Sequence, residues 1–231
     1  TQKSLRNSMQ IDPSLFGNEL ESEKHKAELD VLGAAVDDRG IISTFKHVLT
    51  ITPNSLSAPP VVWHQQLTVP HGLYQVRVAV RARESGWTGS AMQWLVIPDV
   101  PVDKLHMSSL FVAARQDGGA KTQNSSSPLK VSVDRRFTDK SILRFQTYIY
   151  TTAPQNAEID IHADVWRNET RVLNTPAARV PNNISPKQPG LPYWSEISLT
   201  GMAPGRYLLT VTAIDRKSTL TTSQQLPFTI E

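Results

Sequence analysis

The sequence predicts an all-β protein built from two tandem immunoglobulin- or fibronectin-like β-sandwiches, the first lacking its N-terminal strand. Three observations lead there. Period-2 alternation of β-branched and aromatic residues recurs along the chain, and no window carries a 3.6-residue apolar stripe. The stretch PHGLYQVRVAVR (70–81) returns as APGRYLLTVTAID (203–215). Aligned on that repeat, the second half has one more strand at its start than the first.

In order, the first half reads as strands at SLRNSMQID (4–12), HKAELDVLGAAV (25–36), ISTFKHVLTIT (42–52), VVWHQQLTV (61–69), YQVRVAVRA (74–82) and GSAMQWLVI (89–97). They carry the period-2 alternation of β-branched and aromatic residues. After Asp99 come Pro101, the strand-like LHMSSLFVAA (105–114) and QDGGAKTQNSSSP (116–128), whose Gly, Ser and Asn content reads as a flexible loop. The second half follows with LKVSVDRRF (129–137), SILRFQTYIYT (141–151), AEIDIHADVW (157–166), TRVLNTPA (170–177), YWSEISLT (193–200), YLLTVTAID (207–215) and SQQLPFTI (223–230). The predicted organisation is an incomplete sandwich over 1–99, a linker over 100–128 with a strand at 105–114 available for donation, and a complete sandwich over 129–231. A chain of 231 residues is long enough for two cores.

Residues 70–98 align without a gap on 203–231, with identities at Gly72/Gly205, Tyr74/Tyr207, Val78/Val211, Arg83/Arg216, Ser85/Ser218, Thr88/Thr221, Ser90/Ser223 and Ile97/Ile230. Gly-x-Tyr before an alternating strand predicts a tyrosine corner in each half. Gly72 and Gly205 turn the chain, while Tyr74 and Tyr207 pack inward and bond back to the turn.

Laid back from the corner tyrosines, SLRNSMQID falls where SILRFQTYIYT falls, Leu5 lying 69 residues before Tyr74 and Leu143 lying 64 before Tyr207. The second half has LKVSVDRRF before that point, and the first half has no counterpart. A sandwich open at that place leaves amide edges unpaired, so a strand from upstream or from another chain is expected to fill it. Within this sequence the predicted donor is 105–114, with Leu105, Met107, Leu110 and Val112 as its apolar face. The alignment also turns Met92, Trp94 and Val96 outward, where the second half has Gln225, Pro227 and Thr229. Those three residues and the donor face form the candidate assembly surface.

Composition excludes several classes. Lys and Arg number 24 against 21 Asp and Glu, a net charge of +3 without basic runs, so nucleic acid is not an expected partner. The chain has no Cys and hence no disulfide or thiolate metal site. No apolar run is long enough to span a bilayer, and the N-terminus lacks the apolar core of a signal peptide. Because it begins at Thr1, the chain reads as a processed product or a piece of something longer.

Motifs of metalloproteases, α/β-hydrolases, P-loops and dinucleotide folds are absent, and the six His show no ligand spacing, so no catalysis, cofactor or small-molecule substrate is expected. His47 and His64 fall on strands read as neighbours, as a surface pair. Asp37, Asp38, Asp99, Asp103 and Asp117 read as turn residues, with Asp99 and Asp103 the one place where Ca²⁺ could stiffen the interdomain joint. Arg77 and Arg81 alternate with Val76, Val78 and Val80 and are expected on a solvated face. Trp63 and Trp194 occupy matching places and, with Trp87 and Trp166, are expected in core or corner packing rather than in a sugar-stacking platform. Asn124, Asn168 and Asn183 begin Asn-x-Ser/Thr triplets that mark exposed loops.

At GLYQVRVAVR…GSAMQWLVIPD, SVDRRF…LRFQTYIY and PGRYLLTVTAIDR the chain resembles the C-terminal region of bacterial von Willebrand factor type A related surface proteins, as in Acidobacteria, over nearly all its length. The resemblance implies an exported, surface-associated setting. The Asp-x-Ser-x-Ser metal motif of the type A domain that normally precedes this region is absent, so metal-dependent adhesion does not carry over. The expected function is that of a non-catalytic extracellular structural protein that self-assembles into a fibre or tube by strand complementation between subunits. The competing expectation is a monomeric stalk or protein-binding module of a surface adhesin whose type A domain lies outside this chain.

Overall fold

Six strands build the first unit of the computed structural model: β1 (Lys3–Ile11), β2 (Ala27–Asp37), β3 (Gly40–Ile51), β4 (Val61–Val69), β5 (Gly72–Ala82) and β6 (Thr88–Ile97). The structure describes residues 3–12, 26–52, 61–99, 104–116, 131–151, 156–182 and 190–231. The chain divides into Thr1–Asp99 and Val100–Glu231. In the first unit β1 and β4 form a two-stranded antiparallel layer, and the other layer runs β3-β2-β5-β6. Alternation dictates the faces: along β5, Tyr74, Val76, Val78, Val80 and Ala82 are buried while Arg77 and Arg81 are exposed. Tyr74 with Leu29, Val31, Ile51 and Leu67 centres the core.

The second unit contains β7 (His106–Met107), β8 (Phe111–Gln116), β9 (Arg136–Phe137), β10 (Ser141–Tyr150), β11 (Ile159–Arg167), β12 (Thr170–Asn174), β13 (Ala178–Arg179), β14 (Leu191–Ser198), β15 (Gly205–Asp215) and β16 (Thr221–Ile230). One layer is β14-β10 with β7 and β8 along the far edge of β10; the other is β12-β11-β15-β16-β9, with β13 also on β11. Alternating burial along β10 and β15 again makes one core between the layers. Each unit is therefore an immunoglobulin- or fibronectin-like sandwich, and among the described residues the first has no counterpart of β7, β8 or β9.

Two expectations about the chain between the sandwiches are corrected. The segment 105–114 is not a linker with a spare strand: β8 pairs with β10, placing Val112 opposite Phe145, and β7 places Met107 opposite Ile149. Leu105, Met107, Leu110 and Val112 are buried in the second unit's own core, where leaving that sheet would expose all four. The stretch 129–137 is not one strand either. Within its described part only Arg136–Phe137 pairs, parallel to β16, and the Ser132 N–H bonds to the Val112 carbonyl. β7 and β8 thus join one layer and β9 the other. The intervening loop read at 116–128 lies almost wholly outside the described residues.

The two repeats share their register. Gly72 pairs with Ile97 and Tyr74 with Leu95 in one hairpin, Gly205 with Ile230 and Tyr207 with Phe228 in the other. Arg83 and Arg216 were identical for a reason the alignment did not reveal. Their backbone N–H groups bond to the carbonyls of Glu28 and Glu158, and their guanidinium groups pair with Asp30 and Asp160. Both acids belong to a repeated Ala-Glu-x-Asp, at 27–30 and 157–160, so the same latch ties hairpin to sheet in each unit.

The tyrosine corner closes in one unit only. Gly205 and Gly72 adopt φ of 148° and 153°, a region open to glycine. The Tyr207 hydroxyl donates to the Ala203 carbonyl at 2.6 Å, whereas the buried Tyr74 hydroxyl has no partner. Tyr207→Phe should therefore cost the second unit about 1–2 kcal/mol, while Tyr74→Phe should cost the first nothing measurable. Urea denaturation of each variant checks this contrast.

Asp215 caps the β15–β16 turn. Burial pushes its carboxyl pKa up, but hydrogen bonds from the Ser218 hydroxyl (2.8 Å) and the Lys217 N–H (3.0 Å) outweigh it and leave the pKa below its ordinary value. The ionised form thus favours the folded state. Its contribution is present at neutral pH and is lost as pH falls below about 4 through the folded pKa. Asp215→Asn should flatten this acid limb of the second unit's stability curve, which thermal melts between pH 3 and 6 would measure.

Candidate assembly surface on the first sandwich

Register places each outward side chain of β6 beside one of β5: Leu73 by Val96, Gln75 by Trp94, Arg77 by Met92. Met92, Trp94 and Val96 are 57%, 57% and 68% exposed. The same outer face of the sheet carries exposed Leu32 of β2 and Val48 of β3. Between them the small side chains of Ala34, Ala79 and Ser90 floor a shallow hollow of about 810 Å³, walled by Leu32, Lys46, Arg77 and Met92. In the second unit Gln225, Pro227 and Thr229 take the matching β16 positions, giving a polar counterpart. Sequence reasoning found the β6 row and missed its extension across β2. The signal was VLGAAV (31–36), an apolar run with both faces nonpolar, as expected of a strand covered on both sides.

Charge on this face is mostly cationic, from Lys46, Arg77 and Arg81. Asp30, opposite Arg81, bonds to Arg83 at 2.8 Å, and that hydrogen bond holds its carboxyl below the usual range. The acid end of the face is thus occupied by its own ion pair, and the hollow presents apolar groups with basic ones.

The inner side is incompletely covered at the β6 edge. Leu95 and Ile97 are half-buried where Phe228 and Ile230 are buried, and Gln93 is exposed where Leu226 is buried. The cause is a two-stranded layer lying over a four-stranded one. In the second unit Phe137 of β9 packs edge-on to Phe228, ring centres 6.0 Å apart. Among the described residues no strand pairs with the far edges of β1 or β6. Asn7, on the inner face of β1 opposite Gln65, has a buried Nδ2 without a hydrogen-bond partner.

Of the other residues singled out, His47 and His64 sit on β3 and β4, in different layers; His64 contacts the Ser8 hydroxyl at 2.9 Å. Trp63 faces the core, 5.6 Å from the Phe45 ring. Trp194 does not match it: opposite Gln146 it points outward, 46% exposed, beneath the Arg144 guanidinium. Period 2 makes one position of slip enough to change faces. Asn168 lies in the exposed β11–β12 turn, where it and Glu169 take positive φ. Asp103, Asp117, Asn124 and Asn183 lie outside the described residues. Among the described residues no cluster of three His, Cys, Asp or Glu could hold a metal, and no helix is long and apolar enough to cross a membrane.

No family model and no curated protein matches the sequence. Among solved structures the chain is similar to red sea bream transglutaminase, at 14% identity and a TM-score of 0.33, over 89% of this chain and 27% of that one. It is also similar to fibronectin(III)-like modules of Clostridium thermocellum CbhA, at 10% identity and a TM-score of 0.27, over 99% and 86%. A third is Bacteroides uniformis β-glucuronidase 2, at 12% identity and a TM-score of 0.35, over 98% and 26%. The chain thus spans about a quarter of the transglutaminase and glucuronidase chains.

Proposed function

We propose that the chain is a non-catalytic structural protein of the cell exterior that self-associates into a fibre or tube, the first sandwich of each subunit accepting a β-strand from a neighbour. The observation that carries this reading is the pair of edges, on β1 and β6, that no strand among the described residues joins, above half-buried Leu95 and Ile97, at the place where the second sandwich holds β7, β8 and β9. An uncovered edge beside exposed apolar groups favours association. A contact between two unlike surfaces, repeated head to tail, gives an open polymer rather than a closed dimer. The exported setting is what the resemblance to von Willebrand factor type A related surface proteins supports.

With 105–114 committed to its own unit, the neighbour's strand comes from another part of the protein. Sedimentation velocity and negative-stain electron microscopy across a concentration series test the reading: concentration-dependent filaments are expected, and strictly monomeric particles at the highest concentration would reject it. A protein-binding module on a surface adhesin is the second reading. Met92, Trp94 and Val96 favour it, because an apolar row beside basic groups also suits a partner other than self.

A further inference from the structure

We propose that the outer face of the second sandwich, around Trp166, binds a neutral oligosaccharide. The site lies wholly within that unit and does not depend on how the first sandwich is completed.

Trp166, expected in core or corner packing, lies outward instead. Ile159, Ile161, Ala163 and Val165 take the buried face of β11, and Trp166 stands on the other, opposite Leu208 of β15. Leu208 in turn lies opposite Pro227 of β16. An indole, an isobutyl group and a proline ring therefore form one apolar strip across three strands, about 10 Å long at two strand spacings. Beside the strip is an open hollow of about 500 Å³, rimmed by Asn168, Glu169, Arg206 and Gln225. That volume falls within the ~300–1,000 Å³ of small-ligand sites. The β11–β12 turn, with positive φ at Asn168 and Glu169, folds both of them back beside Trp166.

The chemistry of the lining selects the ligand. One carboxylate, one guanidinium and two carboxamides offer hydrogen-bond acceptors and donors together with no net charge. The neighbouring charges are already engaged: Arg171 pairs with Asp164 at 3.4 Å, and the Arg167 guanidinium donates to the Pro204 carbonyl at 3.0 Å. An ionic ligand thus gains little here. A peptide strand gains little as well, because the backbone of β15 is laddered to β11 on one side and β16 on the other. A sugar ring suits both halves of the site. Its C–H face packs on the indole and the apolar strip, and its hydroxyls, each donor and acceptor, meet the planar groups of the rim. In the first unit the matching row is Val36, Gln75 and Trp94, and Leu73, Arg77 and Met92 stand where the second has Arg206, Thr210 and Gln225. That face is apolar and cationic, so it supplies an internal control.

Isothermal titration of the full chain with cellohexaose, xylohexaose, mannohexaose and tetragalacturonate tests the proposal. At least one of the neutral sugars should bind saturably, Trp166→Ala should weaken it at least about tenfold, and Trp94→Ala should leave it unchanged. Glu169→Ala and Gln225→Ala alter exposed side chains and should each weaken binding about two- to tenfold at an unchanged melting temperature, which separates lost contact from lost folding. Absence of saturable binding by every neutral sugar, or binding that survives both Trp166→Ala and Glu169→Ala, would overturn the site. Tighter binding of tetragalacturonate than of any neutral sugar would overturn the ligand class.

Discussion

Val112→Asp will unfold the second sandwich at a temperature on the order of 15 °C below the parent while leaving the first unchanged. Val112 is 1% exposed and lies directly opposite Phe145, itself 1% exposed. The substitution removes apolar contact and drives a carboxylate into the apolar core, a mechanism that belongs to the large-effect class of about 4 kcal/mol or more. For a unit of this size each kcal/mol shifts the midpoint by on the order of 4 °C. Val112→Ala, which only shortens the side chain, should cost about half as much. Exchange protection of β10 and β14 is the readout. If both variants leave it unchanged, 105–116 does not belong to the second core, and its availability as a donor reopens.

The second large effect belongs to the first sandwich. Gly33 faces the interior of β2 directly across from Phe45 on β3, and the aromatic ring lies where a Cβ at Gly33 would stand. Gly33→Ala must therefore push Phe45 off its rotamer against a core that includes Trp63, at about 2–3 kcal/mol. With roughly 4–8 °C per kcal/mol for a domain of about 100 residues, the first unit should melt roughly 8–24 °C lower. Phe45→Leu supplies the control. In that background the ring is gone and Gly33→Ala should cost markedly less, a coupling that a double-mutant cycle measures. Equal costs in both backgrounds would mean that the ring does not constrain Gly33.

These two positions also mark where reading the sequence succeeds and stops. The alternation of β5 and β15 placed the corner tyrosines and their inward valines correctly, because face is a local property set by the pleat. The gapless repeat anticipated the shared hairpin register, since a tight hairpin transmits register through its turn. Phe45 over Gly33 was not visible, because β2 and β3 alternate correctly under many registers and only their pairing sets the two residues opposite. Trp63 and Trp194 looked equivalent by position yet face opposite ways. The repeated Ala-Glu-x-Asp was on the page as sequence, but its role as the partner of Arg83 and Arg216 appears only once β2 lies beside β5 and β11 beside β15.

The corner hairpins, their inward faces and the duplication were determined by the order of residues alone, for they follow from periodicity and local turn chemistry. Which edge each strand joins was decided by tertiary structure. Residues 105–114 alternate as well as any donor would, and nothing in that pattern says whose core they enter. Backbone hydrogen bonds are the same for every strand, so the partner is chosen by the whole complement of side chains beneath it, Phe145, Ile149 and Phe137 among them.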